Sequence, residues 1–265
     1  MKISIILPTY KPENYLWECL CSLISQDFPK EEFEILIILN GCNEPYLSHI
    51  KEFVATDMKD FHVSIYQVNE SGVSNARNMG MQEATGEWIT FIDDDDKISP
   101  AYLKELYKMA SPDGIAICNV KCINESTGIF FDDYLSKSYL KNQGKENVRL
   151  FDVRSFMSTS CCKLVPVNVI KNRQFDTKFT NGEDALFMFL ISDNIKRYML
   201  ADSHAVYYRR VRSGSASRGK TKAFLFKNKV RLFVSICRIY LTAPFRYNFL
   251  FFLTRIAATL FKKVN

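Results

Sequence analysis

The first third of the chain alternates between short all-apolar runs and longer segments whose apolar residues recur at helical spacing. Residues 3–7 read as a buried strand, ended by Pro8-Thr9-Tyr10. Between Glu13 and Gln26, the residues Tyr15, Leu16, Cys19, Leu20, Leu23 and Ile24 share one helical face, which predicts an amphipathic helix. A second apolar strand over 33–39 stops at Asn40-Gly41. A helix over 45–56, a strand over 62–68, a helix over 72–84 and a strand over 88–92 follow. Strands that are apolar on both faces belong to a parallel sheet with helices on either side. Ligands of such sheets bind beyond the carboxyl ends of the strands, so the segments directly after each strand carry the candidate chemistry.

The remainder is less regular. Residues 115–120 and 129–131 read as strands, 132–150 as a polar Lys/Asn-rich loop, and 166–171 and 183–192 as helices. Beyond Gly219, two helical patterns at 220–241 and 246–263 are separated by Pro244. The expected organisation is one α/β domain over 1–218, with halves 1–112 and 113–218, followed by a helical tail over 219–265. No internal repeat is present.

Composition places the 265 residues among globular chains: 47% are hydrophobic and 24% charged, too apolar for disorder. The net charge of +6 hides a division. The last acidic residue is Asp202, so 203–265 holds 14 Lys/Arg and no acid, while 1–202 holds 21 Lys/Arg against 29 Asp/Glu. No apolar run reaches the ~18 residues of a membrane span, and the first apolar run is too short for a signal peptide. The eight cysteines form no C-x-x-C pair, so reduced thiols in a cytoplasmic protein are expected rather than a zinc site or disulfides.

Asp93-Asp94-Asp95-Asp96 follows a strand directly, where an α/β sheet places its ligand. Adjacent carboxylates repel unless a cation neutralises them. Hard oxygen donors suit Mg²⁺ or Mn²⁺, commonly held by one or two carboxylates plus substrate phosphates. Lys97-Ile98-Ser99-Pro100 breaks the alternating pattern of an EF-hand, and Asp-Asp-Asp-Asp-Lys, which reads like a cleavage tag, lies inside a strand–turn–helix context rather than at a terminus. No G-x-G-x-x-G follows any strand, which argues against an NAD enzyme. A nucleotidyltransferase would need a Gly-rich basic loop after the first strand, and Pro8-Thr9-Tyr10-Lys11-Pro12 is not one. Cys161-Cys162 has no histidine near it in sequence to activate a thiol.

Residues 3–110 resemble the nucleotide-sugar-binding half of family-2 glycosyltransferases of the GT-A fold. The resemblance rests on Ser4-Ile5-Ile6-Leu7-Pro8-Thr9-Tyr10, Ser22-Leu23-Ile24-Ser25-Gln26, Phe33-Glu34-Ile35-Leu36-Ile37, Gly72-Val73-Ser74-Asn75-Ala76-Arg77-Asn78-Met79-Gly80, and Gly86 to Asp96 with Pro100 behind it. It implies a Rossmann-like, mostly parallel sheet flanked by helices, and an inverting, metal-dependent transfer from a nucleoside-diphosphate sugar, a UDP-sugar being expected, to an acceptor hydroxyl. The acceptor implied is a glycan or a lipid-linked glycan, in assembly of a surface or exported polysaccharide. The family's acid–any–acid pattern falls on Asp93-Asp94-Asp95, with Asp95 the metal ligand, Asp93 a second candidate, and Asp93 or Asp94 on the ribose. Pro8, Thr9 and Tyr10 would border the nucleobase and ribose, and Arg77 would point at the phosphates or the base. Where the family has Asp-Asp-Gly after the second strand, this chain has Leu39-Asn40-Gly41; Asn40 can still bond a base edge, but the base stays open.

In the second half, Gly182-Glu183-Asp184 before an apolar helix resembles the family's catalytic acid pair, which implies Asp184 as general base and Glu183 as its neighbour and second candidate. The stretch from Ser158 to Leu164 resembles the acceptor lining. Tyr207 to Ser217 resembles the closing Tyr-x-Arg…Gly-Ser segment, with Arg209 and Arg212 expected on the diphosphate. Residues 218–265 combine eleven Lys/Arg with bulky apolar residues. That mixture suits a helix lying on an anionic leaflet, here expected on the inner face of the cell membrane. No nucleic-acid motif is present and none is expected as partner. A non-catalytic membrane-associated sugar-nucleotide binder is the other class open to such a chain.

Overall fold

The computed structural model describes residues 1–212 and 221–261. In chain order the elements are β1 (Ile3–Thr9), α1 (Asn14–Ile24), β2 (Phe33–Asn40), α2 (Tyr46–Asp57), β3 (His62–Val68), α3 (Val73–Glu83), β4 (Trp88–Phe91) and β5 (Lys97–Ile98). There follow α4 (Tyr102–Lys108), β6 (Gly114–Ile117), β7 (Asn119–Asn124), β8 (Phe130–Phe131), α5 (Tyr134–Asn142), β9 (Lys163–Pro166), α6 (Val167–Ile170) and α7 (Glu183–Ile191). The series ends with β10 (Arg197–Leu200), β11 (Val206–Val211), α8 (Lys222–Thr242) and α9 (Phe249–Phe261).

A seven-stranded sheet runs β10-β6-β9-β4-β1-β2-β3. It is mostly parallel, with β9 antiparallel to both β4 and β6. Every residue of β1 and β2 is buried, as near-continuous apolar runs require, and the polar residues Ser4 and Glu34 within them pair with each other at 2.6 Å. A smaller sheet, β5-β11-β7-β8, stands beside it. Together they set the acid run after β4 against β11, whose Tyr207 hydroxyl accepts a hydrogen bond from the Asp93 amide at 3.1 Å.

The sequence pattern assigns no element where β5, α4, β9, β10 and β11 form, and two further stretches differ from it. The apolar run 115–120 divides at Cys118 into β6 and β7, which join different sheets. Periodicity cannot show such a division, because both strands are buried. The polar stretch 132–150 contains α5, capped by Asp133, whose carboxylate accepts from Leu135 N at 2.8 Å and Ser136 N at 3.1 Å. Its buried positions, Leu135, Ser136, Tyr139 and Asn142, form a helical stripe made largely of polar residue types.

The two C-terminal helices pack on the domain. Phe189 of α7 stacks on Tyr247 at 5.2 Å and meets Phe251 of α9 at 5.7 Å, while Tyr240 of α8 stacks on Phe252 at 4.1 Å. The inward stripe of α9 is Phe251, Arg255 and Thr259; its outward face carries Phe249, Leu250, Leu253 and Leu260, all exposed. The helix is thus turned with an arginine inside and leucines outside. Exposed apolar residues of α8, namely Phe226, Val230, Val234 and Leu241, lie beside the exposed cations Lys227, Arg231 and Arg238. Among the described residues, no helix is long and apolar enough to cross a membrane.

Candidate active site at the carboxyl ends of the central strands

The parallel strands β1, β2 and β4 end together, and their last residues build the site. Thr9 closes β1 with its side chain buried and donates to Asp94 Oδ2 at 2.5 Å. Pro8 is buried beneath it and Tyr10 is exposed beyond it. Asn40 closes β2, also buried; its Nδ2 donates to Thr9 O at 2.7 Å and its Oδ1 accepts from Gly72 N at 2.9 Å. This amide therefore ties the ends of β1 and β2 to the start of α3. Gly41 follows at φ +63°, and a Cβ there would lie 2.3 Å from Ser71 Cβ, so only glycine lets these two loops meet.

The four acids divide by direction. Asp96 is buried and accepts from Arg210 N at 2.7 Å, which fastens the run to β11. Burial holds the Asp96 carboxyl well above the usual carboxylate range, and the charges of Asp95 and Asp93 add to it. Asp93, Asp94 and Asp95 are half-buried at the sheet edge. Burial pushes Asp94 up to about 7 against the opposing Thr9 hydrogen bond, and burial with the Asp93 charge raises Asp95. An open cleft of about 460 Å³ beside them is lined in part by Tyr15, Glu18 and Arg210.

Three arginines stand on β11 and just beyond it, and alternation along the strand sorts them, two toward the acid run and one away. Arg212 places Nη2 2.7 Å from Asp95 Oδ2 and its guanidinium 4.4 Å from the Tyr15 ring centre. Arg210 donates to Asp95 O at 3.0 Å and to Glu18 Oε2 at 2.8 Å. Arg209 faces the other way and binds Asp133 Oδ2 at 2.8 Å. The structure therefore brings Arg212 to the acid run and commits Arg209 to the cap of α5. Arg210 was not singled out from the sequence, although its parity with Arg212 on one strand was the available signal. The expected closing segment 213–217 lies outside the described residues.

Arg77 joins the two halves. It is 3% exposed, and its two terminal nitrogens divide between Asp184 Oδ1 at 2.7 Å and Asp93 Oδ1 at 2.8 Å. Burial works against its charge, yet Asp184 and Asp93 outweigh it and hold the guanidinium above its ordinary pKa. It packs against the rings of Phe175 and Phe91, at 5.4 and 6.0 Å. Asp184 Oδ1 also accepts from Ser160 Oγ at 2.9 Å. Ser160 in turn is bracketed by Lys163, a fully buried lysine whose Nζ donates to Thr159 O and Cys161 O at 2.5 and 2.6 Å. Gly182, in the left-handed region at φ +86°, turns the chain into α7 so that Glu183 and Asp184 occupy its first turn. Burial, then the Asp184 charge, pushes Glu183 up to about 7, and its Oε2 is buried without a partner.

The donor set fits a divalent cation in one respect: three hard carboxylates crowd together and two are driven toward protonation. Among the described residues no three His, Cys, Asp or Glu side chains converge as a complete metal cage. A cation here would complete its shell from a ligand's phosphates and water, as Mg²⁺ commonly does. All eight cysteines are free, and Cys161 and Cys162 are buried with their thiols raised by burial, so neither is poised as a nucleophile.

The mostly parallel α/β sheet flanked by helices is the GT-A fold. Residues 4–173 match the family model described as Glycosyl transferase family 2, and the chain belongs to that family. It is 31% identical over 239 residues to Glycosyltransferase GlyA of Streptococcus pneumoniae serotype 4, covering 84% of this chain and 32% of GlyA. It is 28% identical over 218 residues to the poly(ribitol-phosphate) beta-N-acetylglucosaminyltransferase TarS of Staphylococcus aureus strain MW2, covering 81% of this chain and 36% of TarS. The chain thus spans about a third of the length of these relatives. The structure of S. aureus TarS 1–349 in complex with UDP-GlcNAc superposes with a TM-score of 0.71 at 26% identity, over 89% of this chain and 66% of that one.

Proposed function

We propose that the chain is an inverting glycosyltransferase that moves a sugar from a nucleoside diphosphate to an acceptor hydroxyl during assembly of a surface polysaccharide. The observation that carries this reading is the Arg77 bridge, which holds an acid of the donor-side run and an acid of the opposite half in one hydrogen-bonded unit. A single displacement at an anomeric carbon needs the leaving diphosphate and the general base on opposite sides of the sugar. TarS in complex with UDP-GlcNAc supports a UDP-sugar as donor.

Asp184 is the base in this reading. Its Oδ1 is oriented by Arg77 and Ser160, and with 20% of its side chain exposed it can meet an acceptor hydroxyl. Glu183 stands beside it as the second candidate. Pro8, Thr9, Tyr10 and Asn40 shape the nucleoside end, and Asp93 and Asp94 border the ribose. Asp95, with Asp93, would hold a Mn²⁺ or Mg²⁺ ion, which when bound supplies Lewis-acid neutralisation of the leaving diphosphate. Arg212 turns from Asp95 to the phosphates; Arg209 reaches them only by releasing Asp133.

The chain acts, in the same reading, on a glycan or lipid-linked acceptor while lying against the inner face of a membrane. The exposed apolar faces of α8 and α9 beside exposed cations support that contact. Thermal-shift measurement against a panel of nucleoside-diphosphate sugars, with and without Mn²⁺, tests the donor. Asp184→Asn tests the base: transfer should fall by about 10²-fold or more with donor affinity retained. Undiminished transfer in that variant would remove Asp184 from its role.

A further inference from the structure

Outside the site just described, positive charge gathers where, among the described residues, no acid pairs with it. A cleft of about 320 Å³ lies between α5 and the 3₁₀ turn Arg154–Ser158. Lys137 and Lys141, one turn apart on α5, and Arg154 across from them line it, and none forms an ion pair among the described residues. Like charges at this spacing repel on a helix surface. The one carboxylate in the lining, Asp152, is already bound to Lys145 Nζ at 2.9 Å and to Arg149 N at 2.9 Å.

Behind Arg154 lies a fourth cation. Arg255 of α9 is 7% exposed, donates from Nη2 to Arg154 O at 3.1 Å, and leaves its buried Nε without a partner. Among the described residues no carboxylate pairs with it. Its pKa is lowered to about 10, first by burial and then by Arg154. Burying an uncompensated guanidinium against a second one is costly. An anion seated at Arg154 relieves both. Ser155 Oγ, also buried and unpartnered, adds a hydroxyl donor to the lining, and the unpartnered Asn142 Oδ1 adds an acceptor for a hydroxyl.

We infer that this cleft binds a phosphate group, gripped by Lys137, Lys141, Arg154 and the Ser155 hydroxyl, as the recognition site for a phosphate-bearing acceptor. The oxyanion offers acceptors to each of these donors, and the charge-assisted bonds so formed are of the strong kind. The 3₁₀ turn that carries Arg154 and Ser155 leads, two residues beyond its end, to Ser160, which holds Asp184. The inference rests on the transferase reading only in naming the acceptor as the source; the same phosphate chemistry could be a phospholipid headgroup.

The test uses the full chain with inorganic pyrophosphate and follows backbone amide NMR signals, which separate this cleft from the acid run residue by residue. Pyrophosphate should shift residues 137–142 and 154–158. The triple variant Lys137→Gln/Lys141→Gln/Arg154→Gln should weaken that response by about tenfold or more, as loss of several charge-assisted bonds requires. Lys137→Arg/Lys141→Arg should retain it. In a second arm, vesicles of phosphatidylcholine, alone or mixed with phosphatidylglycerol, are co-sedimented with both proteins. A soluble response removed by the triple variant, with vesicle sedimentation equal in the two proteins, assigns the phosphate to an acceptor; vesicle binding lost in the variant overturns that role. A response only to phosphatidylglycerol vesicles, removed by the same variant, assigns it to lipid headgroups and overturns the acceptor role. Shifts absent at these residues together with equal vesicle sedimentation of both proteins, or shifts unchanged in the triple variant, overturn the site. Binding of a UDP-sugar, followed by titration calorimetry, reports on the donor reading independently; it should be equal in wild type and variant, and no binding to either would remove that reading while leaving the phosphate result intact.

Discussion

Arg77 and Asp184 are 107 positions apart in the chain and 2.7 Å apart in space, and Arg77 spends its other terminal nitrogen on Asp93. One buried guanidinium therefore balances an acid from each half. Arg77→Gln leaves two carboxylates facing each other with no cation between them, which should cost about 3–5 kcal/mol of stability. Denaturant unfolding measures this. Arg77→Lys should not restore it, because one ammonium cannot span both oxygens as the planar fork does; wild-type stability in the lysine variant would refute the bridging role.

Glu183 makes stability depend on pH near neutrality. Its folded pKa of about 7 lies above the unfolded value of 4.5. The folded protein then holds the extra proton between those values, so stability falls as pH rises through that window and levels off above it. The full effect is of the order of 3 kcal/mol. Glu183→Gln should be more stable than wild type at pH 8 and should lose this share of the slope. Equal slopes in the two proteins across pH 4.5–7 would show that Glu183 titrates normally.

Lys163 is placed to position Ser160 rather than to react. Lys163→Met strands the carbonyls of Thr159 and Cys161, at about 1–3 kcal/mol for each unpaired buried group. Loosening Ser160 also loosens Asp184, so kcat should fall while KM for the donor is kept. A variant that is less stable but has wild-type kcat would confine Lys163 to a structural role.

The two outer arginines of β11 and its exit should separate in function. Arg212→Gln removes the contact to Asp95 and should weaken donor binding by about tenfold. Arg209→Gln breaks the pair with Asp133 and should lower the melting temperature with donor affinity little changed. Isothermal titration with a UDP-sugar compares them directly, and equal losses would mean that both reach the phosphates.

The outward face of α9 gives a membrane test that spares the core. Phe249→Asp/Leu253→Asp alters only exposed positions. Each buried apolar side chain is worth about 1.5–3 kcal/mol when taken from water, so co-sedimentation with phosphatidylglycerol vesicles should be lost. Undiminished sedimentation would leave α9 as a helix exposed to water.

Much of the donor half was legible because β1 and β2 are nearly continuous apolar runs and α1 carries one apolar stripe. The acid run could be placed at a strand end on the same grounds. The other half was less so, for physical reasons. α5 hides behind lysines, serines and an asparagine, since its buried stripe includes Ser136 and Asn142. The break at Cys118 joins two buried strands that pattern alike. Arg255 reads as a surface cation in any helical pattern, and only the packing of α9 turns it inward. Arg77 could be named from its motif, but its two carboxylate partners lie on elements whose approach depends on tertiary contacts.

The turn that presents Glu183 and Asp184 has a lid made from the basic tail. Asn228 of α8 donates to Asn181 O at 2.7 Å, and a Cβ on Gly182 would come within 2.9 Å of Leu232 Cδ2. Trimming the chain before α8 to obtain better-behaved material would uncover this turn and free it to rearrange. An inactive shortened protein would then report a collapsed loop rather than a lost anchor, which makes single substitutions on the outer faces the sound way to study attachment.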